Sequence, residues 1–402
     1  MPLLVAFGAG NVGRGFIGEL FSAAGWDVAF LDVAPRLVER LGEDRSYIHE
    51  TVSNSGVLRQ VVTRVTAAYS TDQPAVDALV TEADLVTTSV GVRVLGAVAP
   101  ALAHALQARW AAGRGALDVL LCENLHDASS VFRRMLRDAL PASARARLET
   151  DVGLAETAIG RMIPTTPPAP GQPPTLVRAE PYRILPYDAT GLTAPEPRVQ
   201  GLFPVRGIPF SFYTDRKLLI HNMGHCACAY LGELLGATFI WEAIAEPRVH
   251  SIVRAAMMES ALALSVVYGA GIGALGLHVD DLLARFANRA LGDTVERVGR
   301  DPERKLGADD RFIGAYALAR RAGTPIEYLS LALAVGARRL AGEDGWDEAR
   351  ALAHLDAHLF PGGGGGPARD LFGLQFASLA HGLDWEGQQA LIDASPLRGT
   401  VV

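Results

Sequence analysis

Apolar positions along the chain follow two rhythms, and the change between them divides it. In the first third, short apolar runs alternate with stretches of helical spacing. Leu3–Phe7 reads as a strand, residues 13–24 as a helix, and Asp27–Val33 as a second strand. Leu85–Val90 and Leu117–Cys122 read as further strands, with a helix over about 94–112 between them. Strands separated by helices of this length imply right-handed crossovers and a parallel, doubly wound sheet. Residues 47–69 break the rhythm, and the alternation across Val57–Val65 predicts an antiparallel hairpin inserted in or added to that sheet. Pro-rich sequence at 164–174 marks a composition shift, and Leu176–Tyr187 predicts one more pair of extended segments. From about Asp215 the pattern is helical nearly to the end. These rhythms predict two domains, 1–195 with a doubly wound sheet and 196–402 mostly α-helical. The run Gly362–Gly366 reads as a flexible loop without assigned function.

The first strand runs into Gly8-Ala9-Gly10-Asn11-Val12-Gly13, which fits G-x-G-x-x-G. The fingerprint alone is weak, but here a strand leads in, a helix leads out, and the next strand ends in Asp32, 19 residues after Gly13. Such a turn lets backbone approach a pyrophosphate, and the helix N-terminus offers N–H groups and partial positive charge. A carboxylate at Asp32 suits ribose hydroxyls and opposes a 2′-phosphate, which favours NAD over NADP. The first domain is therefore expected to be of Rossmann type, with Gly8, Gly10, Asn11, Val12, Gly13, Asp32 and Val90 at the cofactor. A flavin would use the same fingerprint, but the second domain carries a better constellation for hydride transfer.

That constellation is Lys217, His221, Asn222 and His225, at the start of a helix expected to run to about Gly236. At 100° per residue, His225 lies roughly 80° and Asn222 roughly 140° around from Lys217. Hydride transfer from an alcohol needs a base for the hydroxyl proton and a donor for the developing alkoxide. A lysine serves as base when burial or a neighbouring cation lowers its pKa. An amide at Asn222 suits the reacting oxygen, and His225 suits an adjacent hydroxyl. His221 and His225 have zinc-like spacing, but no acidic or Cys ligand stands nearby, so no metal is expected. The plain alternative is a snorkelling Lys and a hydrogen-bonded core His.

Composition narrows the class. The formal net charge of −7 speaks against a nucleic-acid surface. Three cysteines, Cys122, Cys226 and Cys228, make no disulfide framework and point to a reducing, cytoplasmic compartment. Neither a secretory leader nor a membrane span is expected, since runs such as Ala255–Val267 are short and interrupted by Glu259.

These motifs resemble those of the mannitol-1-phosphate 5-dehydrogenase and mannitol dehydrogenase family, the polyol-specific long-chain dehydrogenases. The opening Gly8–Gly18, the Lys217-x4-Asn222-x2-His225 signature, Asp84–Gly91, Cys122-Glu123-Asn124 and Val295–Leu306 carry the resemblance over about residues 1–340. It implies NAD-dependent, metal-independent oxidation of a polyol or polyol phosphate. In that scheme Lys217 is the base, Asn222 and Asn124 hold the reacting oxygen, and His225 binds substrate. Asn124 also fits independently, since it ends a predicted strand at the carboxyl edge of the sheet, where doubly wound folds bind ligands.

One departure is Gly160, in Ile159-Gly160-Arg161-Met162, where the family usually has Asp. Another is His221-Asn222-Met223-Gly224-His225 in place of the more usual Asn-Thr-Gly-His. Asp215 either replaces an acidic neighbour of the base or caps the helix. Arg297, Arg300, Arg304, Lys305 and Arg311 form the conspicuous basic cluster, with Arg300 and Arg304 the candidates for a substrate phosphate. The interleaved Glu296, Asp301, Glu303, Asp309 and Asp310 fit a salt-bridged surface equally well. A free polyol or an aldonate is the alternative substrate, and an inactive nucleotide-binding protein the alternative outside enzymes.

Overall fold

The structure, a computed structural model, describes residues 1–164, 170–360 and 366–399. Its chain divides into two compact units, Met1–Thr214 and Asp215–Val402. The division falls later than residue 195 because the strand Leu202–Val205 still pairs in parallel with Leu185–Asp188 of the first unit.

Among the described residues, the first unit holds eleven strands. They are β1 (Leu3–Phe7), β2 (Asp27–Asp32), β3 (Ser46–Ser53), β4 (Gly56–Thr63), β5 (Val65–Tyr69), β6 (Leu85–Thr88), β7 (Leu117–Leu121), β8 (Val152–Glu156), β9 (Val177–Ala179), β10 (Leu185–Asp188) and β11 (Leu202–Val205). Six make one parallel sheet in the order β5-β2-β1-β6-β7-β8. Successive side chains of β1 face opposite layers, as the period of a strand requires. Leu4 and Ala6 pack with Phe16, Ile17 and Leu20 on one side, and Val5 and Phe7 with Leu95, Leu102 and Leu106 on the other. Burying each such Leu or Ile contributes about 1.5–3 kcal/mol. Both faces being covered explains why these strands read as continuous apolar runs.

Residues 47–69 depart from expectation. The antiparallel hairpin is β3–β4, and it joins β9 in a separate three-stranded sheet. Val65 begins β5, which lines the edge of the main sheet in parallel with β2. The turn between β4 and β5 is Arg64, at φ 61°, so one alternating run serves two sheets.

The second unit is helical. Met223–Leu234 is buried on nearly every side, which explains its apolar and small composition. It packs on Pro247–Tyr268 so closely that a Cβ at Gly224 would strike the Met257 side chain. Pro247–Tyr268 extends well beyond the apolar run Ala255–Val267 and, at 22 residues, is long and apolar enough to cross a bilayer. Half of its most apolar stretch is buried within the protein, where Glu259 caps a neighbouring helix by accepting the N–H groups of Tyr328 and Leu329. Of the glycine run, Gly362–Gly365 lies outside the described residues, and Gly366 immediately precedes the helix Pro367–Ser378.

Candidate active site

In the first unit the turn after β1 sits where the strand order reverses, between β1 and β6, the place where doubly wound sheets bind ligands. Gly8 has φ 102°, and a Cβ there would lie 2.5 Å from the Ser89 carbonyl oxygen. A Cβ at Gly13 would drive into the Gly8 carbonyl. At Gly10 a Cβ would meet nothing within 4 Å, so the room kept there faces no part of the protein. Packing thus requires the outer glycines, whereas the middle one leaves backbone open to a ligand. These residues fit a dinucleotide's pyrophosphate. Asp32 Oδ2 accepts the Ala9 N–H at 2.6 Å, and Oδ1 accepts those of Val33 and Ala34 at 2.8 and 2.9 Å. A carboxylate accepts about four hydrogen bonds, so Asp32 anchors the glycine turn and keeps capacity for a ribose hydroxyl.

The helix after this turn opens with a π-helical segment, Gly13–Gly18, whose wider repeat displaces carbonyls from regular donors. Neighbours serve them. The Tyr47 hydroxyl donates to the Arg14 carbonyl at 2.7 Å, while His49 Nε2 and Arg161 Nη1 lie 3.2 and 3.0 Å from that of Gly15. Arg161 also pairs with Glu19 at 3.0 Å and is wholly buried, so this arginine beside Gly160 braces the cofactor turn. A Cβ at Gly160 would face the Tyr182 ring at 3.3 Å.

Val90 and Gly91 are fixed by a residue that sequence reading passed over. Both carboxylate oxygens of Glu123 accept their N–H groups, each at 2.9 Å. The signal was its place between Cys122 and Asn124, inside a motif that was noticed. Asn124 is exposed in the loop after β7. Burial pushes the Cys122 thiol up to about 12, which leaves it unreactive at neutral pH.

In the second unit Lys217 and Asn222 lie in another π-helical segment, Arg216–Asn222, and not in the α-helix expected. Bonding from i to i+5 brings Asn222 closer in angle to Lys217 than the α-helical projection allows. Helix Pro247–Tyr268 holds this segment at two points. The Ser260 hydroxyl donates to the Leu219 carbonyl at 2.9 Å, and the Tyr268 hydroxyl to Asp215 Oδ2 at 2.6 Å. Asp215 therefore accepts from Tyr268, and its side chain caps no N–H of the segment. Lys217 is partly buried. Burial, then the charge of Arg311, lowers its pKa to about 8. Burial, then Arg285, holds His221 well below the usual range, so it is neutral at pH 7.

The His225 ring stacks on Phe286, with centroids 4.8 Å apart and planes at 13°. Its Nε2 lies 3.2 Å from Asp293 Oδ2, at an oblique approach. Arg297 grips both Asp293 oxygens at 2.6 Å. This accounts for one member of the basic cluster, and the i, i+4 spacing of Asp293 and Arg297 was the available signal.

The rest of the cluster is not one helical face. The helix Val295–Gly299 ends before Arg300, and Pro302 starts a new one, Pro302–Lys305, which separates Arg304 from the earlier arginines. Lys305 is buried and donates to the Val298 carbonyl at 2.6 Å. Arg304 and Arg311 share Asp310 at 3.0 and 2.8 Å. Arg300 is exposed and, among the described residues, forms no ion pair.

Residues 2–201 match the model of the mannitol dehydrogenase Rossmann domain, and residues 210–357 that of the mannitol dehydrogenase C-terminal domain. Mannitol-1-phosphate 5-dehydrogenase of Brevibacillus brevis is 34% identical over 332 residues, 83% of this chain and 84% of that protein. Two solved structures share the fold at 18% identity. Pseudomonas fluorescens mannitol 2-dehydrogenase, in a ternary complex with NAD and D-mannitol, gives a TM-score of 0.74 over 98% of this chain and 94% of its own. A D-sorbitol dehydrogenase in substrate-free form gives 0.70 over 97% and 91%. With both domain models matched in order and a relative aligned across most of its length, the chain belongs to the mannitol dehydrogenase family of NAD-dependent polyol dehydrogenases.

Proposed function

We propose that this enzyme interconverts a sugar-alcohol phosphate, such as mannitol 1-phosphate, and the corresponding keto-sugar phosphate, with Lys217 as general base and no metal. The observation that carries the reading is the position of Lys217. A partly buried amine with a pKa near 8, five residues before an amide on the same wide turn, is matched to taking a proton near neutral pH. NAD, when bound, accepts the hydride from the carbinol carbon. The neutral Lys217 amine takes the hydroxyl proton, and the C–O bond becomes a carbonyl. Asn222 and Asn124 donate to the oxygen as its charge grows, and His225 holds a neighbouring hydroxyl. Gly8, Gly10, Asn11, Val12, Gly13, Asp32 and Val90 hold the cofactor.

The phosphate is assigned to Arg300, aided by Arg304. The 34% identical Brevibacillus protein, named for a phosphorylated substrate, supports this. A second reading, oxidation of a free polyol or an aldonate, is favoured by the pairing of Arg304 and Arg311 with Asp310 and by Gly160. NADH formation with mannitol 1-phosphate, free mannitol and an aldonate separates the two. Turnover of the phosphorylated hexitol that is lost in Lys217→Ala is expected. Turnover of the unphosphorylated compounds alone would overturn the phosphate assignment.

A further inference from the structure

His225 is held by two groups, one of them fixed in turn by a third, that have no place in the reaction as described. Phe286 fixes the plane of its ring, Asp293 faces Nε2, and Arg297 fixes Asp293 with two hydrogen bonds. Asp293 is buried, and its own backbone carbonyl accepts the Ile240 N–H, so the residue is fixed at both ends. Nε2 is sealed from solvent, and the carboxylate of Asp293 is the acceptor it faces. Burial alone would raise the Asp293 pKa, but the donors facing it, with Arg297 on both oxygens, hold it far below the usual carboxylate range.

An ionised carboxylate only accepts, so the ring nitrogen facing it must carry a proton. A neutral imidazole has one donor and one acceptor. We infer that Asp293 is a positioning residue that fixes the His225 proton on Nε2, leaving Nδ1 as an acceptor that selects a substrate hydroxyl at that point. The inference rests on the reading of His225 as a substrate ligand. It adds a requirement about the substrate: the group meeting His225 must be a free hydroxyl able to donate. A deoxy, keto or O-methyl analogue at that position is rejected because it offers that acceptor no donor.

Nitrogen NMR of the full-length enzyme labelled with 15N-histidine tests this without a substrate, with the His225 signals assigned by their loss in His225→Gln. With the ring in its neutral form, the expected spectrum has a protonated Nε2 and an unprotonated Nδ1. A neutral wild-type ring with its proton on Nδ1 overturns the inference, whether or not the Asp293 variants fold. In Asp293→Asn the tautomer preference should be lost, and KM for the polyol should rise on the order of 10–100-fold, the usual effect of removing such a partner. The KM for NAD should not move, and Asp293→Glu should restore part of the loss. If His225→Gln raises the polyol KM but Asp293→Asn changes neither tautomer nor KM, the positioning role fails and the ligand role stands. If His225→Gln itself leaves the polyol KM unchanged, the ligand role fails, and the inference with it.

Discussion

The glycine turn of the first unit and the lysine segment of the second each have a π-helical stretch in the helix that carries them, Gly13–Gly18 in one and Arg216–Asn222 in the other. They use it differently. Around the first, the proposed binding surface is backbone, and side chains from β3 and Arg161 satisfy the carbonyls that the wide turn displaces. In the second, side chains carry the proposed chemistry, Ser260 holds the Leu219 carbonyl, and Tyr268 holds the Asp215 carboxylate. The comparison teaches that a π-helical stretch is compatible with presenting either main chain or side chains, provided a neighbouring element meets the displaced groups. Substitutions in the two regions should accordingly fail in different ways.

The largest effect is expected at Lys217. Lys217→Ala should lower kcat for alcohol oxidation by roughly 10²–10⁴, the usual span for a general base, while NADH binding followed by fluorescence stays unchanged. Equal loss of both would erase the distinction between the regions. Gly13→Ala should do the reverse. Its Cβ drives into the Gly8 carbonyl, and overpacking of that kind costs about 1–3 kcal/mol, to be seen as weaker NAD binding and a lower Tm. Asp32→Asn should narrow the preference for NAD over NADP, measured as the ratio of kcat/KM values, since it removes the charge that opposes a 2′-phosphate. The smallest effect belongs to the arginines. Arg300→Ala should raise KM for a phosphorylated substrate more than Arg304→Ala, because Arg304 already shares Asp310, and neither should change KM for NAD.

Much of this was legible in the chain. β1, β2, β6 and β7 announced themselves as apolar runs because the sheet is covered on both faces. The glycine turn was legible because sterics forbid any side chain at Gly8 and Gly13. Other features depend on contacts distant in sequence. The alternation at 47–69 shows extended backbone but not that β4 and β5 join different sheets. The spacing of Lys217, Asn222 and His225 shows one helix side but not a π-helical repeat, which depends on donors such as Ser260, 41 residues from Leu219. The basic cluster and its interleaved acids allowed either a phosphate site or a salt-bridged face, and the pairs of Arg297 with Asp293 and of Arg304 and Arg311 with Asp310 follow the second pattern.

The most direct test is the pH dependence of kcat/KM for polyol oxidation by the wild-type enzyme, which reports the base of the free enzyme. Burial and Arg311 favour the neutral Lys217 amine, and that form, the one able to take a proton, accumulates as pH rises through about 8. The expected profile climbs tenfold per pH unit below that point and levels above it, and the rise disappears in Lys217→Ala. A profile that is flat from pH 6 to 9, or that keeps the same rise in Lys217→Ala, would contradict the assignment of Lys217 as the base.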